Sequence, residues 1–130
     1  MFVDSSALVA MLMPEPDGHI LASRLQERTE AYTSSVAIFE TVLALRRLRG
    51  APIPEMNLLV EEFLRRASVR VVEVEADEHV GALQAFEVYG KGSGHPAQLN
   101  LADCFAYAVA KRLGVPLLYK GNDFSHTDLA

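Results

Sequence analysis

The first segment of the chain reads Phe2-Val3-Asp4-Ser5-Ser6-Ala7-Leu8-Val9. Its first two residues predict the end of a short buried strand. Ser5 or Ser6 can cap a helix that extends to Pro14, because a serine hydroxyl accepts hydrogen bonds from the free N–H groups of a helix start. Asp4 then lies where the strand passes into the helix.

The rest of the chain alternates strand-like and helix-like segments in the same way. Three further strands are predicted at residues 31–34, 69–74 and 115–119. Five further helices are predicted: from about 17 to 25, 36–49, 54–66, 76–89 and 100–112. This order predicts an α/β fold with a mainly parallel sheet, which binds ligands beyond the carboxyl ends of its strands. Asp4 and the pair Asn122-Asp123 fall at such ends.

Composition limits the class of protein. A chain of 130 residues is expected to form a single domain over residues 1–130 and can bury a core without disulfides. One cysteine allows no internal disulfide, and the start lacks the basic and apolar pattern of a signal peptide, so we expect a cytoplasmic protein. No uncharged apolar stretch of about 18 residues occurs, which predicts no membrane span.

Four of the seventeen acidic residues are isolated from other charges. They are Asp4, Glu40, Asp103 and Asp123. The remaining acids, for example Glu61, Glu62, Glu73, Glu75, Asp77, Glu78 and Glu87, follow polar positions of helices and strands and predict solvated faces. An isolated carboxylate in apolar surroundings is costly unless it is paired, coordinated or protonated.

Structural roles could explain three of the four acids separately. Asp4 could cap a helix, Asp103 lies three residues after the predicted cap Asn100, and Asp123 could form an Asx-turn. Glu40 has the weakest structural explanation, because it lies beyond the first turn of its helix and its neighbours at helical spacing are apolar.

Two strand ends and two helices can bring these four acids to one edge of the sheet. Unit charges about 4 Å apart repel by roughly 4 kcal/mol at an effective dielectric of 20. A hard divalent cation compensates this repulsion, and oxygen ligands without His or Cys point to Mg²⁺ or Mn²⁺. Such an ion activates water and neutralises charge on a phosphodiester, so the predicted reaction is hydrolytic cleavage.

The net charge of −5 at first argues against a polyanionic partner. Without the four acids the balance is −5 + 4 = −1, so RNA can bind through local basic patches. The candidate phosphate contacts are Arg46, Arg47, Arg49, Lys91, His95 and Lys120. For the three arginines, the alternative is a solvated helix face.

The quartet together resembles that of PIN-domain ribonucleases. The motifs are Val3-Asp4-Ser5-Ser6, Glu40 in the third helix, Leu101-Ala102-Asp103-Cys104-Phe105-Ala106 and Gly121-Asn122-Asp123-Phe124. The loop Tyr89-Gly90-Lys91-Gly92 with Gly94-His95-Pro96-Ala97 is most similar to VapC-type toxins of type II toxin-antitoxin systems. The similarity covers essentially the whole chain.

The resemblance implies a three-layer α/β/α fold and a Mg²⁺-dependent endoribonuclease, with Mn²⁺ as a substitute. It also implies a homodimer and inhibition by a cognate antitoxin protein. Asp4 and Asp103 would be the principal metal ligands, and Glu40 and Asp123 would complete the centre directly or through water. Ser5 or Ser6 would orient Asp4.

The fourth acidic position is open, because Asn122 adjoins Asp123 and Asp128 follows a few residues later; we favour Asp123. Cys104 is expected to be a core residue, since no His lies in a nearby motif. The four histidines have no i, i+4 pair, which argues against zinc.

Two other functional classes are weighed against the nuclease. A phosphoaspartyl receiver would need paired acids after the first strand, and an Asp-nucleophile phosphatase would need Asp-x-Asp, whereas position 6 is Ser6. The remaining alternative is a catalytically inactive PIN-like binding module, which four intact acids disfavour.

Overall fold

Four short strands form one central sheet, and six helices cover it in a computed structural model that describes residues 1–130. The strands are β1 (Phe2–Val3), β2 (Ala31–Ser34), β3 (Val69–Val72) and β4 (Leu117–Leu118). The helices are α1 (Ser5–Leu12), α2 (Gly18–Gln26), α3 (Ser35–Arg49), α4 (Ile53–Arg66), α5 (Glu78–Tyr89) and α6 (Leu101–Leu113). None of these helices is long and apolar enough to cross a bilayer.

The sheet has the strand order β3-β2-β1-β4, and every pairing is parallel. Phe2 is aligned with Tyr32 on one side and with Leu117 on the other, so β1 occupies a central position. The Asp4 N–H continues this register by donating to the Leu118 carbonyl at 2.9 Å. The carboxyl ends of β1 and β4 therefore meet directly beside Asp4.

Two apolar clusters lie on opposite faces of the sheet and confirm the three-layer α/β/α architecture. One cluster joins α1, α2 and α4 to the sheet through residues such as Leu8, Leu25 and Val60. The other joins α5 and α6 through residues such as Ala82 and Val109. Helix α3 contributes to both clusters, which places its middle near the edge where the two helical layers meet.

The predicted cap Asn100 is confirmed, and the predicted cap of α1 is corrected. Ser34 caps α3, and Asn100 caps α6 in a reciprocal capping box with Asp103. Gly114 ends α6 with φ 67°, a conformation that favours glycine. The predicted Ser5 or Ser6 cap of α1 is wrong, because Asp4 itself caps that helix by accepting from the Ser6 N–H.

Two strands are shorter than the sequence predicts. Strand β3 ends at Val72 because its partner residue there is Ser34, where β2 passes into α3 and offers no further hydrogen bonds. Strand β4 has two residues because β1 ends at Val3, ahead of the α1 cap. The length of each strand is thus set by its neighbour.

One acid predicted to lie on a solvated face is buried instead. The Glu78 side chain is 6% exposed, and its carboxylate accepts from the Arg112 Nε at 3.0 Å. Arg112 also donates to the Glu73 carbonyl at 2.8 Å and pairs with Glu75 at 3.2 Å. This ion pair fastens α5 to α6.

Candidate active site

Asp4 lies at the carboxyl end of β1 and is only 3% exposed. Its Oδ2 accepts from the Ser6 N–H at 3.0 Å and from the Ser6 hydroxyl at 2.6 Å. Burial raises the pKa of Asp4, and the hydrogen bonds from Ser6 oppose that rise. The charge of Asp123 also raises the pKa of Asp4.

Ser6 connects Asp4 to the far end of the chain. Its hydroxyl donates to Asp4 and accepts from the Lys120 backbone N–H at 3.0 Å. The hydroxyl proton is thereby directed at the carboxylate, and the segment after β4 is held against the start of α1. Of the two serines predicted to orient Asp4, it is Ser6 whose side chain makes this contact.

Asp103 is the third residue of α6 and is 7% exposed. Its Oδ2 accepts from the Asn100 N–H at 3.0 Å, so the predicted capping role is real. Burial raises the pKa of Asp103 to about 7, and the charges of Asp4, Asp123 and Glu40 add to the rise. A residue that only caps a helix gains from being ionised, whereas the surroundings of Asp103 oppose its ionisation.

Glu40 is half-buried on α3, beyond the first turn, as the sequence predicts. Its Oε1 accepts from the Ser5 hydroxyl at 3.1 Å. Burial raises the pKa of Glu40, and the charge of Asp4 raises it further. The apolar neighbours on α3 offer no partner, and the hydrogen bond comes instead from α1.

The three candidates for the fourth acidic position have different surroundings. Asp123 is exposed, makes no side-chain hydrogen bond, and its charge raises the pKa values of Asp4 and Asp103. Asp128 accepts from the Tyr107 hydroxyl at 2.6 Å and from Lys111 at 2.5 Å, so its carboxylate is already engaged. The backbone carbonyl of Asn122 accepts from the Ser125 hydroxyl at 2.7 Å, and the neutral Asn122 side chain makes no hydrogen bond and carries no charge that could act on Asp4 or Asp103. These contacts favour Asp123, and the alternative of an Asx-turn at Asp123 receives no hydrogen bond to support it.

The fold thus brings four acids from separate segments into electrostatic contact. No three His, Cys, Asp or Glu side chains lie at the spacing of a preformed metal site. Hydroxyl or amide donors hold the carboxylates of Asp4, Glu40 and Asp103 individually. The donor set is entirely oxygen, which is the chemistry that a hard divalent cation prefers. A cation at this edge would also lower the raised pKa values of Asp4, Glu40 and Asp103.

Comparison with known sequences identifies the family of this chain. The family model described as PIN domain matches residues 1–129. The chain belongs to the PIN-domain family. Its relatives within that family include a VapC ribonuclease of Rhizobium meliloti, 45% identical over 98% of both chains. The ribonuclease VapC of Mycolicibacterium smegmatis is 42% identical, with 100% of this chain and 98% of that one aligned.

A solved structure supports the same fold. The toxin VapC20 of Mycobacterium tuberculosis, described as cleaving the sarcin-ricin loop, superposes with a TM-score of 0.72 over 95% of this chain and 92% of that one. At 24% identity this likeness speaks for the fold. The PIN family and the VapC-type resemblance are confirmed, and membership sets aside the receiver and phosphatase alternatives.

This PIN domain has an open polar groove of about 640 Å³ whose lining includes one of the four acids, Glu40. Ser5, Arg47 and Lys120 also line it. Lys120, predicted as a phosphate contact, pairs with Glu15, and its Nζ lies 3.8 Å from the Asp17 carboxylate. Its charge is therefore largely compensated within the protein.

Cys104 follows Asp103 in the chain but is not placed for nucleophilic chemistry. It is buried, and burial raises the pKa of its thiol to about 11, so the reactive thiolate is scarce at neutral pH. It lines an apolar cavity of about 260 Å³ between α5 and α6, with Leu83 and Phe86. The prediction of a core role for Cys104 is confirmed.

Of the predicted loop contacts, Lys91 is exposed, whereas His95 is partly buried. The His95 ring packs edge-on against Tyr89 with centroids 4.9 Å apart. Its Nδ1 accepts from the Ala97 N–H at 3.1 Å. In this arrangement His95 stabilises its own loop.

Proposed function

We propose that this PIN domain is a metal-dependent endoribonuclease that hydrolyses RNA phosphodiester bonds, with Mg²⁺ as cofactor and Mn²⁺ as a substitute. The observation that carries the proposal is the placement of the acids around the start of α1: Asp4 and Asp103 are buried, and Glu40 accepts a hydrogen bond from Ser5, the residue next to Asp4. The charges of Asp4, Asp123 and Glu40 all raise the pKa of Asp103, which is consistent with this placement. A family whose relatives are named as VapC ribonucleases supports RNA as the substrate.

Asp4 and Asp103 would hold the cation, with Glu40 and Asp123 acting directly or through water. When bound, Mg²⁺ supplies an activated water and neutralises negative charge on the phosphodiester. The chain's own contribution is orientation. Ser6 holds one oxygen of Asp4, and the Asn100 N–H holds one oxygen of Asp103, so the other oxygen of each carboxylate stays available.

Cleavage of labelled RNA by the purified protein tests the proposal. We expect cleavage with Mg²⁺ or Mn²⁺, none with EDTA, and a loss of at least about a hundredfold for Asp4→Asn and Asp103→Asn, of the order that removal of a major charge-stabilising group produces. Asp128→Asn is the matched control, because Asp128 pairs with Lys111 away from the centre.

Cleavage that survives both substitutions would disprove the metal centre. Absence of any cleavage by the unaltered protein, together with no response of its stability to Mg²⁺, would favour the inactive binding module instead. A contaminating nuclease would not follow the difference between Asp103→Asn and Asp128→Asn.

A cognate antitoxin protein and a homodimeric assembly are further parts of the proposal. Both rest on likeness to VapC ribonucleases. Co-expression with the product of a neighbouring small open reading frame should yield a complex with reduced cleavage. Sedimentation of the isolated chain should give twice the mass of 14.3 kDa, and a monomer at micromolar concentration would contradict the homodimer.

A further inference from the structure

The polar groove contains one of the four acids, Glu40, and extends from it along α3. Its α3 lining consists of Glu40, Leu43, Ala44 and Arg47. These residues follow the spacing of one helix face, so the groove has a continuous wall that begins at an acid and ends at a cation. A strand of RNA whose scissile bond lies at the acids would run along this wall.

Helix geometry places Arg47 on this wall and turns the neighbouring arginines away. At about 100° per residue, Arg47 lies within about 20° of Glu40 around the α3 axis and about 10.5 Å along it. The same rotation places Arg46 about 120° away and Arg49 about 180° away. All three are exposed near the C-terminal end of α3, but only Arg47 lines the groove.

The two cations of the groove differ in how much of their charge is free. Lys120 pairs with Glu15 and lies near Asp17. Arg47 forms no ion pair and no side-chain hydrogen bond, so its guanidinium is unpaired at the groove surface. A guanidinium can bind phosphate oxygens with two parallel hydrogen bonds, which makes it well suited to a nucleic-acid backbone.

We propose that Arg47 is a phosphate-binding subsite, which holds an RNA backbone phosphate about three nucleotides from the bond cleaved at the acidic centre. The spacing is the distance of about 10.5 Å between Glu40 and Arg47 along the α3 axis, divided by about 3.4 Å per stacked nucleotide. This inference rests on the proposed ribonuclease function. Arg47 acts on binding and on the length of strand recognised, while the acids act on the chemistry.

RNA affinity tests the subsite without turnover. The probe is a fluorescent oligouridylate, measured by anisotropy in Mg²⁺ with Asp103→Asn as the background that blocks cleavage. Adding Arg47→Gln should raise Kd by about threefold to tenfold, between the effects of an exposed ion pair and a charge-assisted hydrogen bond. The slope of log K against log salt should fall by about 0.7, the value for one lost phosphate contact on a single strand.

Arg46→Gln and Arg49→Gln are matched controls on the same helix and should leave the affinity within about twofold, as expected for exposed charges outside the path of the strand. A length series of the oligonucleotide adds a second criterion. The shortest strands should bind equally to Asp103→Asn with and without the Arg47→Gln substitution. The effect of Arg47→Gln should appear once the strand spans about three nucleotides.

Equal affinity with and without Arg47, or equal losses for all three arginine variants, would overturn the subsite. Failure of the nuclease proposal looks different, because the unaltered protein would then not cleave RNA in Mg²⁺ at all. If the unaltered protein cleaves RNA but the effect of Arg47→Gln on affinity does not change with oligonucleotide length, only the subsite is rejected.

Discussion

Replacing Asp103 by asparagine should stabilise the metal-free protein at neutral pH. Burial raises the pKa of Asp103 to about 7, and the charges of Asp4, Asp123 and Glu40 add to the rise. Its ionised form is therefore disfavoured in the folded chain compared with the unfolded chain. The introduced amide would keep an oxygen that accepts from the Asn100 N–H, so the cap survives the substitution.

The size of this stabilisation follows from the pKa of Asp103 in the folded chain and in the unfolded chain. A carboxyl that titrates at about 7 when folded and at 3.8 when unfolded costs the folded state about 4 kcal/mol above pH 7. Below pH 3.8 both states are protonated and the cost vanishes, so it grows as the pH rises from 3.8 to 7. Losing a negative charge at the start of α6 costs about 0.3–1 kcal/mol, which leaves a net gain of about 3 kcal/mol.

Urea unfolding in EDTA at several pH values measures this difference directly. The free energy of unfolding of Asp103→Asn should equal that of the unaltered chain near pH 4 and exceed it increasingly up to pH 7. For Asp128→Asn, the difference in the free energy of unfolding from the unaltered chain should have the opposite sign, because hydrogen bonds from Lys111 and Tyr107 lower the pKa of Asp128. If Asp103→Asn were less stable at pH 8, the argument that its charge is disfavoured would be refuted.

Three further predictions concern the cation, its orienting hydroxyl and the α5–α6 ion pair. Mg²⁺ at about 100 times its Kd should stabilise the chain by about 2.7 kcal/mol in thermal unfolding, and Asp4→Asn should remove this response; an undiminished response would place the ion elsewhere. Ser6→Ala should cost about 1–3 kcal/mol in urea unfolding and weaken Mg²⁺ binding measured by calorimetry, since it removes the 2.6 Å bond to Asp4. Ser6→Thr keeps a hydroxyl and should restore both the stability and the Mg²⁺ binding. Failure to restore them would show that the hydroxyl is irrelevant. Arg112→Gln should cost about 2–3 kcal/mol at pH 7, because it leaves the buried Glu78 carboxylate without its cation; an unchanged urea midpoint would show that the pair contributes nothing.

Local sequence determined much of the fold. Strand β2 has the predicted bounds Ala31–Ser34, and Asn100 caps α6 as predicted. These features depend on contacts within a few residues, such as a side-chain oxygen that accepts a nearby N–H, so short-range patterns suffice to predict them. The family resemblance follows equally from local motifs, and the comparisons confirm it.

The isolation of the four acids was also visible in the sequence. A carboxylate among apolar residues stands out without any knowledge of the fold, as Glu40 and Asp103 illustrate. The metal-binding and catalytic roles of the four acids stay predictions. So do the single domain, the cytoplasmic location and the homodimer. What the sequence could not supply was the partner of each acid.

Only the tertiary structure decided which groups meet across the chain. The register of β1 against β4 places the Lys120 N–H on Ser6, and the packing of α1 on α3 brings Ser5 to Glu40. Sequence patterns do not encode these pairings, because residues distant along the chain meet only after strands have aligned and helices have packed. The raised pKa of Asp103 has the same origin, since burial and charges from three distant segments produce it together.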